Sequence, residues 1–283
     1  MPTVPYVIAS PSGNVTLLAP AAGLDAPAQA RIARKLLAQG VGKAEQMGFY
    51  TAQPPTLRMA GGEFCLNATR ALAAFLAADA SADDWRGCIR TSGIEVEAHA
   101  RRLSSSAPLY DAAITLPVTA PPAQHLAPGV LLQRLPGISH ILLDARAHPF
   151  PTGEHGPGGW RQQAADLLAR HGLANEEAAG CIWWRPVTAG DAAEGSPPPN
   201  TPPDVRPDVR IDPVVTVREP FTVFHESACG SGSLALALAL GPERPWVVAQ
   251  PGGESLTVTF APSSVRATVS GPVRLLGRGT YHA

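Results

Sequence analysis

The sequence predicts a mixed α/β fold built from two halves of similar plan. Three observations carry that reading. Short strand-like runs alternate with a few alanine-rich helical stretches. The chain has 283 residues, 45% hydrophobic and 16% charged, which is ample material for one large core or two ordinary ones. A pattern also repeats. FCLNATRALAAFLA leads to a strand (GCIRT), a glycine turn and an alternating strand (IEVEAHA). ACGSGSLALALAL leads to WVVAQ, a Pro-Gly-Gly turn and LTVTF, and in each copy a cysteine stands just ahead of an apolar helix.

The elements follow in order. Residues 4–9 and 15–18 read as strands around a Pro-Ser-Gly-Asn turn. Asp25 caps a helix with Pro27 near its start, which stops at Gly40. Residues 46–50 and 57–60 read as strands, and 67–78 as a helix of strong formers. Residues 160–170 form another helix, ended by His171-Gly172. Residues 190–207 are a proline-rich surface insertion that cannot supply a core.

Lys and Arg total 22 against 23 Asp and Glu, a net charge of −1, so no broad basic field for nucleic acid or anionic membrane is expected. The start of the chain lacks a basic stretch followed by a long apolar run, and no window approaches the roughly 18 unbroken apolar residues of a membrane span. A cytoplasmic protein is expected. The four cysteines are scattered and form no CxxC or His/Cys cluster, so neither a disulfide framework nor a metal is expected. Cys88 and Cys181 lie inside strand-like runs and read as small buried hydrophobes.

Cys65 and Cys229 stand at helix starts, where the dipole and unpaired N–H groups favour a thiolate over its reference pKa of about 8.5. The same N–H groups hold anions, and Gly230-Ser231-Gly232-Ser233 lets the backbone approach a ligand closely. Two such thiols on opposite sides of one cleft can perform two-base racemisation. One takes an α-proton and the other delivers one, while the helix ends hold the α-carboxylate.

GGEFCLNATRALA and ESACGSGSLALA resemble the two cysteine motifs of the diaminopimelate epimerase family of cofactor-independent racemases and epimerases. The likeness extends through SPSGNVTLL, GVGKAEQ, LPGISHILLD and SGPVRLLGRGTY, and its wording is closest to the amino-acid racemase branch that includes histidine racemases of metallophore pathways. The resemblance implies two similar halves, each a curled, mostly antiparallel sheet around a central helix, with the site between them. It places residues 1–120 in the first half and 121–270 in the second, with 271–283 returning to the first. It implies Cys65 and Cys229 as the catalytic pair, and substrate contacts from Asn14, Gln46, Leu66, Asn67, Gly230 and Ser231. No cofactor or metal is implied, and the partner is a small-molecule amino-acid substrate, with no nucleic acid or membrane; a homodimer is compatible with the pattern.

Three departures from the family wording bear on substrate. Leu66 stands where glycine is usual, Met59 replaces an asparagine, and Ile138-Ser139 replace the Asn-Pro ahead of His140. These losses argue against diaminopimelate, and a pocket with Met59, Ile138 and one of Trp183 or Trp184 suits a neutral or aromatic side chain, with histidine the first candidate. Glu63 reads equally as a helix cap or a catalytic neighbour, and His225 and Glu226 as substrate contacts or as residues orienting Cys229. His140 reads as a core histidine. The alternatives are diaminopimelate epimerase or a one-base isomerase, and a binding protein without activity.

Overall fold

The computed structural model describes residues 3–118, 121–156, 158–188, 206–218, 222–262 and 265–282. The expected insertion at 190–207 lies almost wholly outside them. The fold is α+β and dominated by sheet, with sixteen strands and four α-helices among the described residues.

Strands β1 (Thr3–Pro11), β2 (Thr16–Pro20), β3 (Gln46–Ala52), β4 (Pro55–Met59), β5 (Asp84–Thr91), β6 (Ile94–Arg102) and β7 (Leu109–Pro117) neighbour one another in sequence order. The last long strand, β16 (Arg266–His282), pairs with β7 on one side and with β1 on the other, which closes these strands into a barrel. Helix α2 (Leu66–Asp79) lies against β1, β5, β6, β7 and β16 and is buried on every side from Leu66 to Ala77. Its alanines explain how a ring of strands can close around it. Small side chains let the backbone sit near the barrel axis, while Leu72 and Phe75 fill the wider gaps.

The sheet continues from β16 through β15 (Ser255–Phe260), β14 (Trp246–Ala249), β12 (Val209–Val217), β11 (Ala178–Pro186), β10 (Ile138–Asp144), β9 (Val130–Leu135) and β8 (Gln124–Ala127). The short strand β13 (Thr222–His225) hangs on β12. Helix α4 (Gly230–Leu240) packs against β9, β10, β15 and β16. Helices α1 (Ala26–Ala38) and α3 (Trp160–Arg170) lie against β3 and against β11 and β12. Asp25 caps α1 by accepting the Ala28 N–H at 2.8 Å.

The cores are not two separate bodies. The barrel core around α2 runs on through Leu234 and Ala237 of α4 and Leu256, Val258 and Val269 of β15 and β16. Strand β16 makes this continuity, since its residues 267–270 pair with β15 and its residues 273–282 with β1. Cys181 is buried, but Cys88 is exposed. It shares the outer face of β5 with Arg86 and Arg90, and the period-2 alternation turns Ile89 inward instead. No helix of the described residues is long and apolar enough to cross a membrane.

Candidate active site

Four backbone features meet where the barrel abuts the rest of the sheet. The turn after β1 carries Ser12 and Gly13 with positive φ (53° and 99°), and a Cβ on Gly13 would stand 3.2 Å from the Cα of Gly252 in the turn after β14. Only glycine permits both that φ and that approach. The starts of α2 and α4 meet as closely, since a Cβ on Gly230 would lie 2.9 Å from Leu66 Cβ and 3.1 Å from Asn67 Oδ1.

Cys65 and Cys229 are the N-caps of these two helices. Each sulfur accepts a backbone N–H from three residues on, Ala68 at 3.4 Å and Gly232 at 3.3 Å. Asn14 and Asn67 both donate to the carbonyl of Ala228, at 3.1 and 2.8 Å, which ties the first helix and the first turn to the residue preceding Cys229. Each such buried bond contributes about 1 kcal/mol net, and leaving the carbonyl unpaired would cost more. Asn67 is itself held by Arg70, buried in the barrel, whose guanidinium also donates to Ser12 Oγ and to the carbonyls of Ala112 and Pro272.

Around Cys65, the thiol donates to Gln46 Oε1 at 2.9 Å, and Gln46 Nε2 donates to Asn14 Oδ1 at 2.6 Å and Thr16 Oγ1 at 2.8 Å. Around Cys229, the backbone N–H donates to Gln250 Oε1 at 2.9 Å, and Sγ lies 3.6 Å from Ser231 Oγ. Ser231 bonds in turn to His140 Nε2 at 3.0 Å. Glu226 hydrogen-bonds Cys229, and its charge also acts on Cys65.

Burial overrides the helix dipole. It pushes the Cys65 thiol up to about 12 and Cys229 well above the ordinary thiol value, with Glu226 adding to both. The local N–H bonds act in the expected direction but are the smaller effect. Burial likewise pushes Glu226 up to about 8, helped by Glu45, and Glu63 up to about 7. Burial also raises Glu45 and pushes His140 down to about 3, so that its imidazole is neutral.

Several expectations need correction. Met59 is wholly buried in the barrel core, because Leu57 and Met59 share the inward face of β4, and it does not line the cavity near the thiols. Trp183 packs with α3 in a core cluster apart from the thiols, whereas Ile138 shares a cluster with Cys229 and α4, and Trp184 is packed against that cluster. Leu66 is the first residue of α2 with ordinary helical backbone, so replacing glycine there costs no φ strain. Glu63 caps nothing, because the cap is Cys65 itself. His225 faces Asp212 at 3.3 Å and packs at a tilt against the rings of Phe150 and Trp160. His140 is a core histidine that nonetheless reaches the site through Ser231.

Sequence reading missed Glu45 and Gln250. Glu45 accepts from Asn14 Nδ2 at 2.8 Å and from the Ser227 backbone N–H at 3.1 Å. Glu45 adjoins Gln46 in GKAEQ, but nothing local ties it to Ser227. Gln250 closes the second copy of the repeated pattern, in WVVAQ before Pro-Gly-Gly, and that position was the available signal. A small cavity of ≈ 20 Å³, room for about one water, has Glu45, Gln46, Glu63 and Glu226 in its wall, together with Leu37, Met47, Val215, Val217 and Phe224; neither sulfur lines it. Among the described residues, no group of three or more His, Cys, Asp or Glu is arranged to hold a metal ion.

Residues 3–133 match the family model of the histidine racemase CntK N-terminal domain. The match covers just under half of the chain. No curated protein matches it. Among solved structures, a predicted epimerase from Pseudomonas aeruginosa aligns with a TM-score of 0.63 at 15% identity, covering 99% of each chain. A hydroxyproline epimerase from Agrobacterium vitis, solved with trans-4-hydroxy-L-proline bound, aligns at 0.59 and 12% identity over 98% of this chain and 92% of its own. A putative phenazine biosynthesis PhzC/PhzF protein from Clostridium difficile aligns at 0.59 and 15% identity over 99% and 100%. At these identities the likeness establishes the fold alone.

Proposed function

We propose that the protein is an amino-acid racemase that inverts Cα with Cys65 and Cys229 as its two acid/base groups, with histidine the first candidate substrate. The observation that carries the reading is the pair of thiol-capped helix starts, pressed together at Leu66 and Gly230, with Glu226 bonded to Cys229. The family model adds histidine as the leading candidate. The division into pseudo-symmetric halves at 1–120 and 121–270, with 271–283 returning to the first, belongs to the same proposal. It is supported by the two cysteine-capped helices and by the pairing of Val273–His282 with β1.

On this reading the α-carboxylate sits at the first-turn N–H groups of α2 and α4, which have no partners within their helices. Carbanion charge develops beside the same donors, and their fixed orientation lowers its cost. Neither thiol ionises readily in the empty, buried site. Ionised Glu226 takes the Cys229 proton, and the substrate's ammonium stabilises the resulting thiolate. The thiolate removes the α-proton from one face while the thiol of Cys65 delivers one to the other. In the opposite direction the roles exchange.

The test is loss of optical rotation from each L-amino acid, together with deuterium incorporation at Cα in D₂O. Inversion with exchange supports the proposal. Binding with neither refutes it and leaves a non-catalytic family member; exchange without Cα inversion favours a one-base isomerase.

A further inference from the structure

We propose that Gln46 holds Cys65 as a thiol, so that the resting site takes an α-proton with Cys229 and returns one from Cys65. The inference rests on the reading of both cysteines as acid/base groups.

A single chain of hydrogen bonds fixes this polarity, and it starts at a group that can only accept. The Ala228 carbonyl, just ahead of Cys229, receives Asn14 Nδ2 at 3.1 Å and Asn67 Nδ2 at 2.8 Å. Asn14 is wholly buried, and with its nitrogen committed there its oxygen faces the other way. That oxygen receives Gln46 Nε2 at 2.6 Å and Thr16 Oγ1 at 3.3 Å. Gln46 Nε2 donates to Thr16 Oγ1 as well, at 2.8 Å. Turning the Gln46 amide over would set two amide oxygens against each other at 2.6 Å. Gln46 Oε1 is therefore the atom that faces Cys65 Sγ, 2.9 Å away. A carboxamide oxygen only accepts. The bond exists while the sulfur carries its proton, and a thiolate there would meet a lone pair at hydrogen-bond distance.

Cys229 is placed differently. Its acceptor is the carboxyl of Glu226, and an ionised carboxylate can keep a proton that it is offered. Among the charged groups that act on Cys65, Glu226 and Glu63 oppose a thiolate. Buried Arg70 on α2 favours one, but its guanidinium is already bonded to Asn67, Ser12 and two backbone carbonyls. The protons balance. The Cys229 proton passes to Glu226, the α-proton to Cys229, and the Cys65 proton to Cα. Charge then rests on Cys65. Uptake of one proton there from water, and release of one from Glu226, restore the resting site.

The test reads Cys65 ionisation without substrate, as its rate of alkylation by iodoacetamide against pH, with exposed Cys88 as the reference in the same sample. Gln46→Met keeps the length of the side chain and deletes the acceptor. Cys65 should then alkylate at least about five-fold faster at a given pH, the effect of one ordinary hydrogen bond. Gln46→Glu keeps an acceptor and should leave the rate unchanged or lower. No gain in Gln46→Met would overturn the inference, and so would equal gains in both variants, which mark opened access. Infrared spectroscopy reads the native side chain directly. The S–H stretching band lost in Cys65→Ser should lie below the one lost in Cys181→Ser, whose acceptor is 3.8 Å away, and a band that does not would also overturn the inference. A second arm follows deuterium exchange at Cα of D- and L-histidine in D₂O. Cys65→Ser, which keeps Cys229 with Glu226, should exchange its preferred enantiomer at least about ten-fold faster than Cys229→Ser exchanges its own. Equal rates would refute the assignment of Cys229 as first acceptor. If the wild type exchanges neither enantiomer, the racemase reading fails, and alkylation alone decides whether Gln46 holds the thiol.

Discussion

Replacing Glu63 by Gln is expected to stabilise the protein, and to do so more strongly as the pH rises. Burial holds the Glu63 carboxyl at about 7 in the folded chain against an ordinary value of 4.5. Between those values the folded state binds more protons than the unfolded one, so stability falls as pH rises through this window and levels off above it. At pH 8 the wild type carries nearly the whole difference, about 3 kcal/mol at 1.36 kcal/mol per pKa unit, and at pH 5 it carries under about 1 kcal/mol. Gln keeps an oxygen for the Gly61 N–H and brings no charge, so most of this penalty disappears. Urea unfolding of both proteins at pH 5 and pH 8 should show a gap that widens by about 2 kcal/mol at the higher pH. A gap that stays constant, or a variant weaker at pH 8, would show that Glu63 is not held protonated by burial.

Cys65→Ser and Cys229→Ser should each lower racemisation by at least a thousand-fold, since a hydroxyl hardly ionises at neutral pH. Each should still exchange deuterium into one enantiomer, with the preferred enantiomer reversing between them as read by NMR in D₂O. Gly230→Ala should cost about 1–3 kcal/mol through contact with Leu66 Cβ. Adding Leu66→Gly should recover part of that loss, and a double-mutant cycle without coupling would refute the contact. On the proposed mechanism ionised Glu226 accepts the thiol proton, so kcat/KM should rise with pH toward a value near 8, and Glu226→Gln should remove that rise.

What could be read from the sequence were features set within a few residues. A cysteine before an apolar run marked both helix starts, and each thiol is indeed the cap that accepts the third N–H onward. The alanine-rich stretch after Cys65 marked a helix buried on all sides. The features that stayed hidden depend on distant pairing. Glu45 meets Ser227 across 182 residues, and His140 meets Ser231 across 91. Two misreadings were avoidable, since strict alternation along TLRM and along DWRGCIRT already assigns Met59 inward and Cys88 outward. The expected acidity of the thiols failed for another reason. The helix start supplies its donors locally, whereas the opposing desolvation comes from the whole closed barrel and the helix pressed against it.

That imbalance shapes how such a site can work. A thiolate standing permanently in the empty cleft would face the cost of burial and the nearby Glu226 together. The empty site instead keeps its protons, on the thiols and, near neutral pH, largely on Glu226. On the proposed mechanism an ammonium brought in by substrate would reverse the balance, because it favours every anionic form around it at short range and low dielectric. Ionisation would then be coupled to binding, and the same burial that suppresses the thiolate in the empty protein would make it a stronger base once formed. The helix starts, on that mechanism, hold the α-carboxylate, but they do not by themselves ionise the buried cysteines. On the proposed mechanism the Glu226 carboxyl bonded to Cys229 is therefore as necessary to the reaction as the thiols themselves.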